Sequence, residues 1–228
     1  MLNTLYRLVD LSIELDAAHF KMRTYAGFKK DMQFELEVIK EYPGGLGQIV
    51  RGVHMRLHAG SHVDAPSHML EGAPDLHQIP LDRFIGPAIV ADIRHCGAGQ
   101  EITADNLERA VGPKLQRNDR LLLRTDQNGV YDGSPEWMAR APYVGFGAVD
   151  WCIERGVSIL GYDFYHGGVP PDSDQPYYGR KLSQHGIMTM PYLTNLAAVG
   201  DERFTLVSLP LKMIGVEASP IRAIALLT

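Results

Sequence analysis

Cysteine is scarce in this chain of 228 residues, which contains two, Cys96 and Cys152. They lie far apart in the sequence and form neither a disulfide framework nor a C-x-x-C metal-binding pair, so a reducing, cytoplasmic location is expected. Basic residues are not in excess either, because 22 Lys and Arg are set against 27 Asp and Glu, for a net charge of −5. This balance argues against a nucleic-acid partner and against an anionic membrane surface.

Long apolar runs are also missing. No uninterrupted run approaches the ~18–20 apolar residues that a membrane span needs. At the amino terminus, Asp10, Glu14 and Asp16 interrupt the stretch in which a signal peptide would be apolar. We therefore expect a soluble, intracellular protein with no membrane partner. A hydrophobic content of 45% is enough for such a protein to bury a core.

The sequence does contain a series of short strand patterns and two helix patterns, which are typical of one α/β domain over residues 1–228. Thr103 is a suitable N-cap for a helix that ends at Gly112, and a second helix ends at Gly156. Gly86 and Pro87 are interpreted as a break before a strand. Strands are predicted from the runs LYRLVDLSIEL (5–15), AIVADI (88–93), RLLLRT (120–125), VSILGYD (157–163), FTLVSLP (204–210) and IRAIALL (221–227).

Histidine is concentrated at one point of the chain. Five of the nine histidines lie between residues 54 and 77, and three of these, with an aspartate, fall in the run RLHAGSHVDAPSHML (56–70). His58 and His62 have the i, i+4 spacing of helical zinc motifs. Gly60, Val63 and Pro66 nevertheless disfavour a helix through this run.

A bent strand explains the spacing better. On a strand, His62 and Asp64 point to the same face, because side chains alternate. A straight strand would hold His58 and His62 roughly 13 Å apart at ~3.3 Å per residue, too far to share one ion. A bend at Ala59–Gly60 would bring them together, and glycine permits it. So many imidazoles beside a carboxylate need a compensating partner, and a divalent cation is the simplest one.

The segment H-A-G-S-H-V-D-A-P-S-H, residues 58–68, resembles the signature H-x-G-T-H-x-D-x-P-x-H of the cyclase superfamily of metal-dependent hydrolases, with Ser61 in place of threonine. The similarity covers nearly the whole chain, through LVDLSIEL, LLLRT, ERGVSILGYD and LPLKMIGVEASPIRAIAL. That superfamily includes kynurenine formamidases, isatin hydrolases and polyketide-associated cyclases. The resemblance implies a swivelling β/β/α fold with a mixed β-sheet core, a divalent metal (zinc or manganese), and a homodimer or homotetramer.

The resemblance also implies roles for four residues. His58, His62 and Asp64 correspond to the metal ligands, and His68 corresponds to the catalytic acid/base. The sequence agrees with this division, because Pro66 redirects the chain after Asp64 and an imidazole with a pKa near ~6.5 suits proton transfer at neutral pH. The implied reaction opens an amide, imide or lactone by attack of a metal-activated water.

The chain departs from the dinuclear formamidases of the superfamily, in which a histidine and a glutamate complete a second metal site. Gly179 and Pro191 stand at the aligned positions, and neither side chain can bind a metal. We therefore expect one ion. His166 and His185 lie nearby in the sequence and are the alternative ligands for a second ion, but no spacing rule assigns either one. No role is predicted for His54 and His77.

Two other functions remain open at this point. A ring-closing cyclase or dehydratase with a polyketide-like substrate would use the same metal and His68. A non-catalytic binding protein would keep the metal as a structural element. A hydrolase consumes water and releases a carboxylate, a cyclase conserves or loses water, and a binding protein turns over nothing. We expect hydrolysis.

Overall fold

The computed structural model describes residues 6–18, 20, 32–40, 48–127, 134, 136–137, 140–164 and 178–227. The described strands are β1 (Arg7–Asp10), β2 (Glu35–Lys40), β3 (Val50–His54), β4 (His62–Asp64), β5 (Ile85–Asp92), β6 (Glu101–Ile102), β7 (Arg120–Arg124), β8 (Tyr143–Val144), β9 (Ile159–Tyr162), β10 (Met188–Met190), β11 (Phe204–Val207), β12 (Ala218–Pro220) and β13 (Ile224–Leu227). The described α-helices are α1 (Ala104–Val111), α2 (Phe146–Arg155) and α3 (Tyr178–Gln184).

Nine strands form one mixed sheet in the order β1-β13-β11-β5-β7-β9-β10-β4-β12. The central strands β5, β7, β9 and β10 are parallel, and the strands on either side pair antiparallel. β7 and β9 read as nearly continuous apolar runs because both of their faces are buried, as is usual for parallel strands. The α/β class and the mixed sheet predicted from the sequence are confirmed.

Alternate residues of each central strand enter two different cores, as the two-residue period of a strand requires. Ile89 and Ala91 of β5 pack against the helices, whereas Ala88 and Val90 face the other side of the sheet. The second core also contains residues of β1 and β13, at one end of the sheet order, and of β4, near the other end. The sheet is therefore curled, so that its two ends meet across this core.

The two helices predicted from the sequence are present. Thr103 caps α1, its hydroxyl accepting a hydrogen bond from the backbone N–H of Asn106 at 3.3 Å, and Gly112 ends the helix. Gly156 ends α2 in a left-handed conformation, with φ of 70°. Each of the six predicted strand runs contains a strand or most of one.

The predicted break at Gly86 and Pro87 is wrong, because β5 begins at Ile85 and runs through both residues. The pairing explains why proline is tolerated there. The ladder between β5 and β7 starts only at Ala88, opposite Arg120, so Pro87 pairs on one side alone, with Thr205 of β11. Proline is acceptable in a strand where no ladder hydrogen bond is required of it.

Two smaller sheets flank the large one, β6 with β8 and β2 with β3. The β2–β3 hairpin is exposed along almost its whole length. Among the described residues, no helix has the length and apolar character needed to cross a bilayer.

Candidate metal centre

The bend predicted at Ala59–Gly60 is present and creates the site. Gly60 adopts φ of 59°, a left-handed conformation that glycine reaches without steric cost. β4 begins two residues later, between β10 and β12, where Asp64 lies opposite both Thr189 and Ala218. The strand therefore fixes His62 and Asp64 in the sheet, while the bend folds His58 back toward them.

Three side chains converge at this point. The Nδ1 atom of His58 lies 2.9 Å from Oδ1 of Asp64, and the Nε2 atom of His62 lies 3.4 Å from the same oxygen. The two imidazole rings are nearly perpendicular, at 89°, with centroids 5.1 Å apart. The candidate ligand atoms of the three residues all lie within 4.8 Å of one another. His62 and Asp64 are buried, and His58 is partly exposed.

Neighbouring groups orient two of these side chains. The Nδ1–H of His62 donates to the carbonyl of Gly60 at 2.7 Å, which leaves Nε2 facing the cluster. The Thr189 hydroxyl donates to Oδ2 of Asp64 at 2.8 Å, which leaves Oδ1 facing the cluster. Outer partners of this kind commonly set the tautomer of a ligating histidine and the orientation of a ligating carboxylate.

The charges of the cluster are strongly coupled. Burial alone would raise the pKa of Asp64, but the positive potential of His62 and His58 outweighs it and holds that pKa well below its usual range. Burial alone would lower the pKa of His58, but its contacts with Asp64 and Glu217 raise it to about 9. A carboxylate that stays ionised in a buried place needs positive charge beside it.

The donor set fits a divalent metal. Oδ1 of Asp64 is buried and accepts no well-aligned hydrogen bond, although two imidazole nitrogens approach it closely. The nitrogen and oxygen atoms that converge here are candidate ligands for a single ion. Two imidazoles and one carboxylate suit zinc or manganese, and three protein ligands leave open positions for water or substrate.

His68 lies beside this cluster. It ends a short 3₁₀ helix, Pro66–His68, which turns the chain after Asp64, and its ring centroid is 4.4 Å from that of His58. Burial, the largest effect, and the neighbouring His58 lower the pKa of His68, although Asp64 and Glu217 oppose the shift. The structure thus brings together all four residues singled out in the sequence, His58, His62, Asp64 and His68.

The sequence did not point to four side chains at or beside the site, Thr189, Glu217, Tyr192 and Trp137. Thr189 and Glu217 come from β10 and from the residue before β12, and only the pairing of those strands with β4 brings them close. Tyr192 follows β10 with an unusual positive φ of 60°, and its ring centroid lies 5.9 Å from that of His62. The ring of Trp137 stacks on that of Tyr192, with the two ring centroids 6.5 Å apart. An acidic residue just before a strand was the one signal in the sequence, and it does not single out Glu217.

The remaining residues considered in the sequence are not among the candidate ligands or lie outside the described residues. Gly179 is buried in α3, and Pro191 is buried directly after β10. On the exposed hairpin, Nε2 of His54 lies 3.0 Å from Oε2 of Glu37. His77 lies in a second 3₁₀ helix, Leu76–Gln78. His166 is outside the described residues.

A cavity of about 630 Å³ lies at a different edge of the sheet, at the amino ends of β7, β9 and β10. Its lining includes His185, Arg83 and Arg120. The two guanidinium groups donate to backbone carbonyls at the strand ends, Arg83 to those of Ser158 and Gly186 and Arg120 to those of Asp82 and Ile85. These arginines close the ends of the sheet, and the cavity contains none of the candidate ligands.

Comparison with known proteins gives consistent results. The family described as "Putative cyclase" matches residues 9–166. The kynurenine formamidase of Bordetella petrii is 32% identical over 181 residues, which is 77% of this chain and 79% of that protein. The kynurenine formamidase of Bacillus cereus is 28% identical over 198 residues, 84% of this chain and 85% of that protein.

Solved structures share the fold. Isatin hydrolase A from Labrenzia aggregata, bound to benzyl benzoate, superimposes with a TM-score of 0.88 at 23% identity, over 100% of this chain and 96% of that one. An isatin hydrolase bound to the product analogue thioisatinate gives a TM-score of 0.87 at 20% identity, over 99% and 94% of the two chains.

Proposed function

This chain belongs to the cyclase family of metal-dependent hydrolases, and from that premise we propose that it hydrolyses an amide, or a related imide or lactone, of a small molecule. The observation that carries the proposal is the convergence of His58, His62 and Asp64, with His68 beside them. The relatives named as kynurenine formamidases support the choice of an amide C–N bond over ring closure.

We assign the metal to His58 Nδ1, His62 Nε2 and Asp64 Oδ1. A divalent ion bound there would supply Lewis acidity and lower the pKa of a bound water toward ~7. Gly60 and Thr189 hold two of the ligands in place through the contacts described above. One ion per chain is proposed, zinc or manganese, since both accept this donor set.

His68 is proposed to carry the proton. Its lowered pKa keeps the ring neutral at physiological pH, so that a ring nitrogen is able to accept a proton and to deliver it to the leaving nitrogen or oxygen. It contacts the ring of His58 and lies one short turn after Asp64, so it is close to the ligands without being needed to complete them.

The assembly and location are part of the proposal. A homodimer or homotetramer is proposed because the β2–β3 hairpin exposes Leu36, Val38 and Val53 together, and an isolated two-stranded hairpin is marginally stable in water. A cytoplasmic location is proposed because Cys96 and Cys152 are buried free thiols, the state that a reducing compartment maintains.

The test separates hydrolysis from ring closure and from simple binding. Protein purified without chelator is analysed for metal and then incubated with a panel of an N-formyl aryl amide, a cyclic imide and a lactone. The expected result is one water consumed per turnover: the imide or lactone gives a ring-opened acid heavier by one water, and the N-formyl aryl amide gives an arylamine and formate. In each case the new carboxylate carries one oxygen from labelled solvent. A chelator should abolish turnover, and zinc or manganese should restore it.

Two outcomes contradict the proposal. Full activity of metal-free protein in the presence of chelator would exclude the assigned metal. A product that keeps or loses water would assign the chain to the cyclases of the family instead.

A further inference from the structure

Glu217 lies at the metal centre but is not among the residues assigned to it. It directly precedes β12, whose first residue, Ala218, lies opposite Asp64. The backbone carbonyl of Glu217 accepts a hydrogen bond from the N–H of Ala65 at 2.8 Å, which fixes its position beside the ligand strand. Its side chain reaches His58, with Oε1 at 3.1 Å from Nε2.

The imidazole of His58 therefore has a carboxylate at each ring nitrogen. Nδ1 faces Asp64 at 2.9 Å, and Nε2 faces Glu217 at 3.1 Å. The two contacts are not equivalent, because the contact with Glu217 has hydrogen-bond geometry whereas Oδ1 of Asp64 accepts no aligned bond. A neutral imidazole has one N–H and one lone pair, so only one of its nitrogens donates.

We infer that Glu217 is a positioning residue that accepts the Nε2–H of His58 and thereby presents the Nδ1 lone pair to the metal. This inference rests on the proposed function, since it takes His58 as a ligand. A carboxylate behind a ligating histidine fixes the tautomer and ring orientation and makes the ligand more basic. Each of the three proposed ligands then has an outer partner, Gly60 for His62, Thr189 for Asp64 and Glu217 for His58.

The alternative use of Glu217 is as a ligand of a second ion. The candidate ligand atoms of His58, His68 and Glu217 also lie within 4.8 Å of one another. Such an ion would need the Nε2 lone pair of His58 while the first ion used its Nδ1 lone pair. The imidazole would have to lose both N–H protons, whereas the neutral ring supplies a single lone pair. The geometry therefore favours an outer partner over a second ligand.

The experiment compares metal binding by wild type, Glu217→Ala and Glu217→Gln, with Glu202→Gln as the control. Glu202 is highly exposed and shares Lys114 with Asp201, so its variant removes one negative charge from a surface ion pair that contains none of the candidate ligands. The Zn²⁺ dissociation constant and stoichiometry are measured by competition with a chromophoric chelator. Circular dichroism and thermal unfolding of the metal-free proteins establish that the variants fold.

The expected result is a 10–100-fold weaker Kd for Glu217→Ala, the usual effect of removing an outer partner of a ligand. Glu217→Gln should lose less, because its amide oxygen still accepts the Nε2–H, and Glu202→Gln should match wild type. Wild type should bind one ion per chain. Nitrogen-15 NMR of the zinc-loaded wild type should show His58 protonated at Nε2 and metal-bound at Nδ1. This measurement needs no variant, so it tests the inference even if Glu217→Ala does not fold.

Three outcomes overturn the inference. One is a wild-type Kd in folded Glu217→Ala. Another is His58 bound to zinc through Nε2. The third is two ions in wild type with one lost in Glu217→Ala, which would make Glu217 a ligand. If wild type binds no ion, or if His58→Ala binds zinc as tightly as wild type, the proposed ligand set fails together with the inference. If His58→Ala loses zinc but Glu217→Ala binds it like wild type, only the inference fails.

Discussion

Asp64 connects the two imidazoles of the candidate metal centre to the sheet, because its two oxygens have different partners. Oδ2 accepts from Thr189 inside the sheet, and Oδ1 faces both His58 and His62. Removal of this side chain leaves two imidazoles without the anion between them. His68, by contrast, contacts the cluster from the side, through the ring of His58.

Substitution should therefore separate binding from catalysis. Asp64→Ala is expected to lose the metal, as measured by elemental analysis of the purified protein. His68→Ala is expected to keep the metal and the fold but to lose on the order of 10²–10⁴-fold in kcat, the usual contribution of a general acid/base. Wild-type turnover by His68→Ala would remove its catalytic role, and loss of metal in that variant would make it a ligand.

Gly60 supports the site through its backbone. Its φ of 59° is costly for other residues, and a Cβ there would lie 2.6 Å from Cδ2 of Leu15. Gly60→Ala is expected to lower the free energy of unfolding by about 1–2 kcal/mol and also to weaken metal binding, because the bend places His58. Gly72 is the matched control, with φ of 75° and no atom within 4 Å of the added Cβ.

Urea unfolding and a metal titration of both glycine variants make this check. Gly72→Ala should lose less stability than Gly60→Ala, because it has a positive φ without the close contact to Leu15, and it should retain the wild-type Kd for metal. Equal metal affinity in the two variants would show that the bend is not what positions His58.

At the residue scale, the sequence was sufficient for the groups that lie in one local run. His58, His62, Asp64 and His68 fall within eleven consecutive residues, and the incompatibility of a straight strand with a shared ion predicted the bend. Thr189 and Glu217 could not be predicted in this way. Thr189 is 125 residues from Asp64 in the sequence, and Glu217 is 159 residues from His58. Strand pairing alone brings them together.

At the scale of elements, Asp163 connects two central strands at their carboxyl ends. It directly follows β9, and its buried carboxylate accepts hydrogen bonds from the backbone N–H and the hydroxyl of Thr125 and from the N–H of Asp126, after β7. Burial, opposed by these hydrogen bonds, raises the pKa of Asp163 to about 6. The folded chain therefore holds this proton over a pH range in which the unfolded chain has released it.

The sign of the pH dependence follows from that difference. Stability contributed by Asp163 is fully present below its ordinary pKa of 3.8 and is lost as the pH rises through about 6. Wild type should therefore lose stability relative to Asp163→Asn as the pH rises from 4 to 7. The change in the difference of their unfolding free energies is at most ~1.4 kcal/mol per pH unit. Urea unfolding across this range measures the difference.

Asp105→Asn is the control for this measurement, since Asp105 is exposed in the first turn of α1. The difference in unfolding free energy between Asp105→Asn and wild type should change less with pH than that of Asp163→Asn. A pH-independent difference for Asp163→Asn would mean that the hydrogen bonds from Thr125 and Asp126 keep the buried carboxylate ionised throughout.

The elements themselves were largely predictable, and their arrangement was not. Thr103 and Gly156 mark helix ends by local hydrogen bonding and backbone conformation, which are properties of a few adjacent residues. The extent of β5 was mispredicted because tolerance of Pro87 depends on which neighbour stands beside it. Likewise, β12 lies beside β4 at one edge of the sheet although about 150 residues separate them, a pairing that no local pattern specifies.

At the scale of the whole molecule, the β2–β3 hairpin is the feature that one chain leaves unexplained. Leu36 lies directly opposite Val53, and Val38 is two residues along the same strand, so the three side chains share one face. They are 53%, 51% and 56% exposed, respectively. The other face carries Glu37 and His54, which pair with each other. The face of Leu36, Val38 and Val53 also carries Arg51, opposite Val38, so its exposed apolar surface is bordered by charge. The proposed homo-oligomer provides a second copy to cover these three apolar side chains.

Charge placed on that apolar face should therefore separate the copies. We expect wild type to sediment as a dimer or tetramer at micromolar concentration and the double variant Leu36→Glu, Val53→Glu to sediment as a monomer. Two like charges directly opposite each other cannot be buried against another chain without a partner. Ile214→Glu is the control, since Ile214 is 83% exposed and lies outside the hairpin. This variant should leave the assembly unchanged. A monomeric wild type would contradict the oligomer itself. A double variant that assembles like wild type would move the interface away from the hairpin, and the exposure of Leu36, Val38 and Val53 would then need a partner other than this chain.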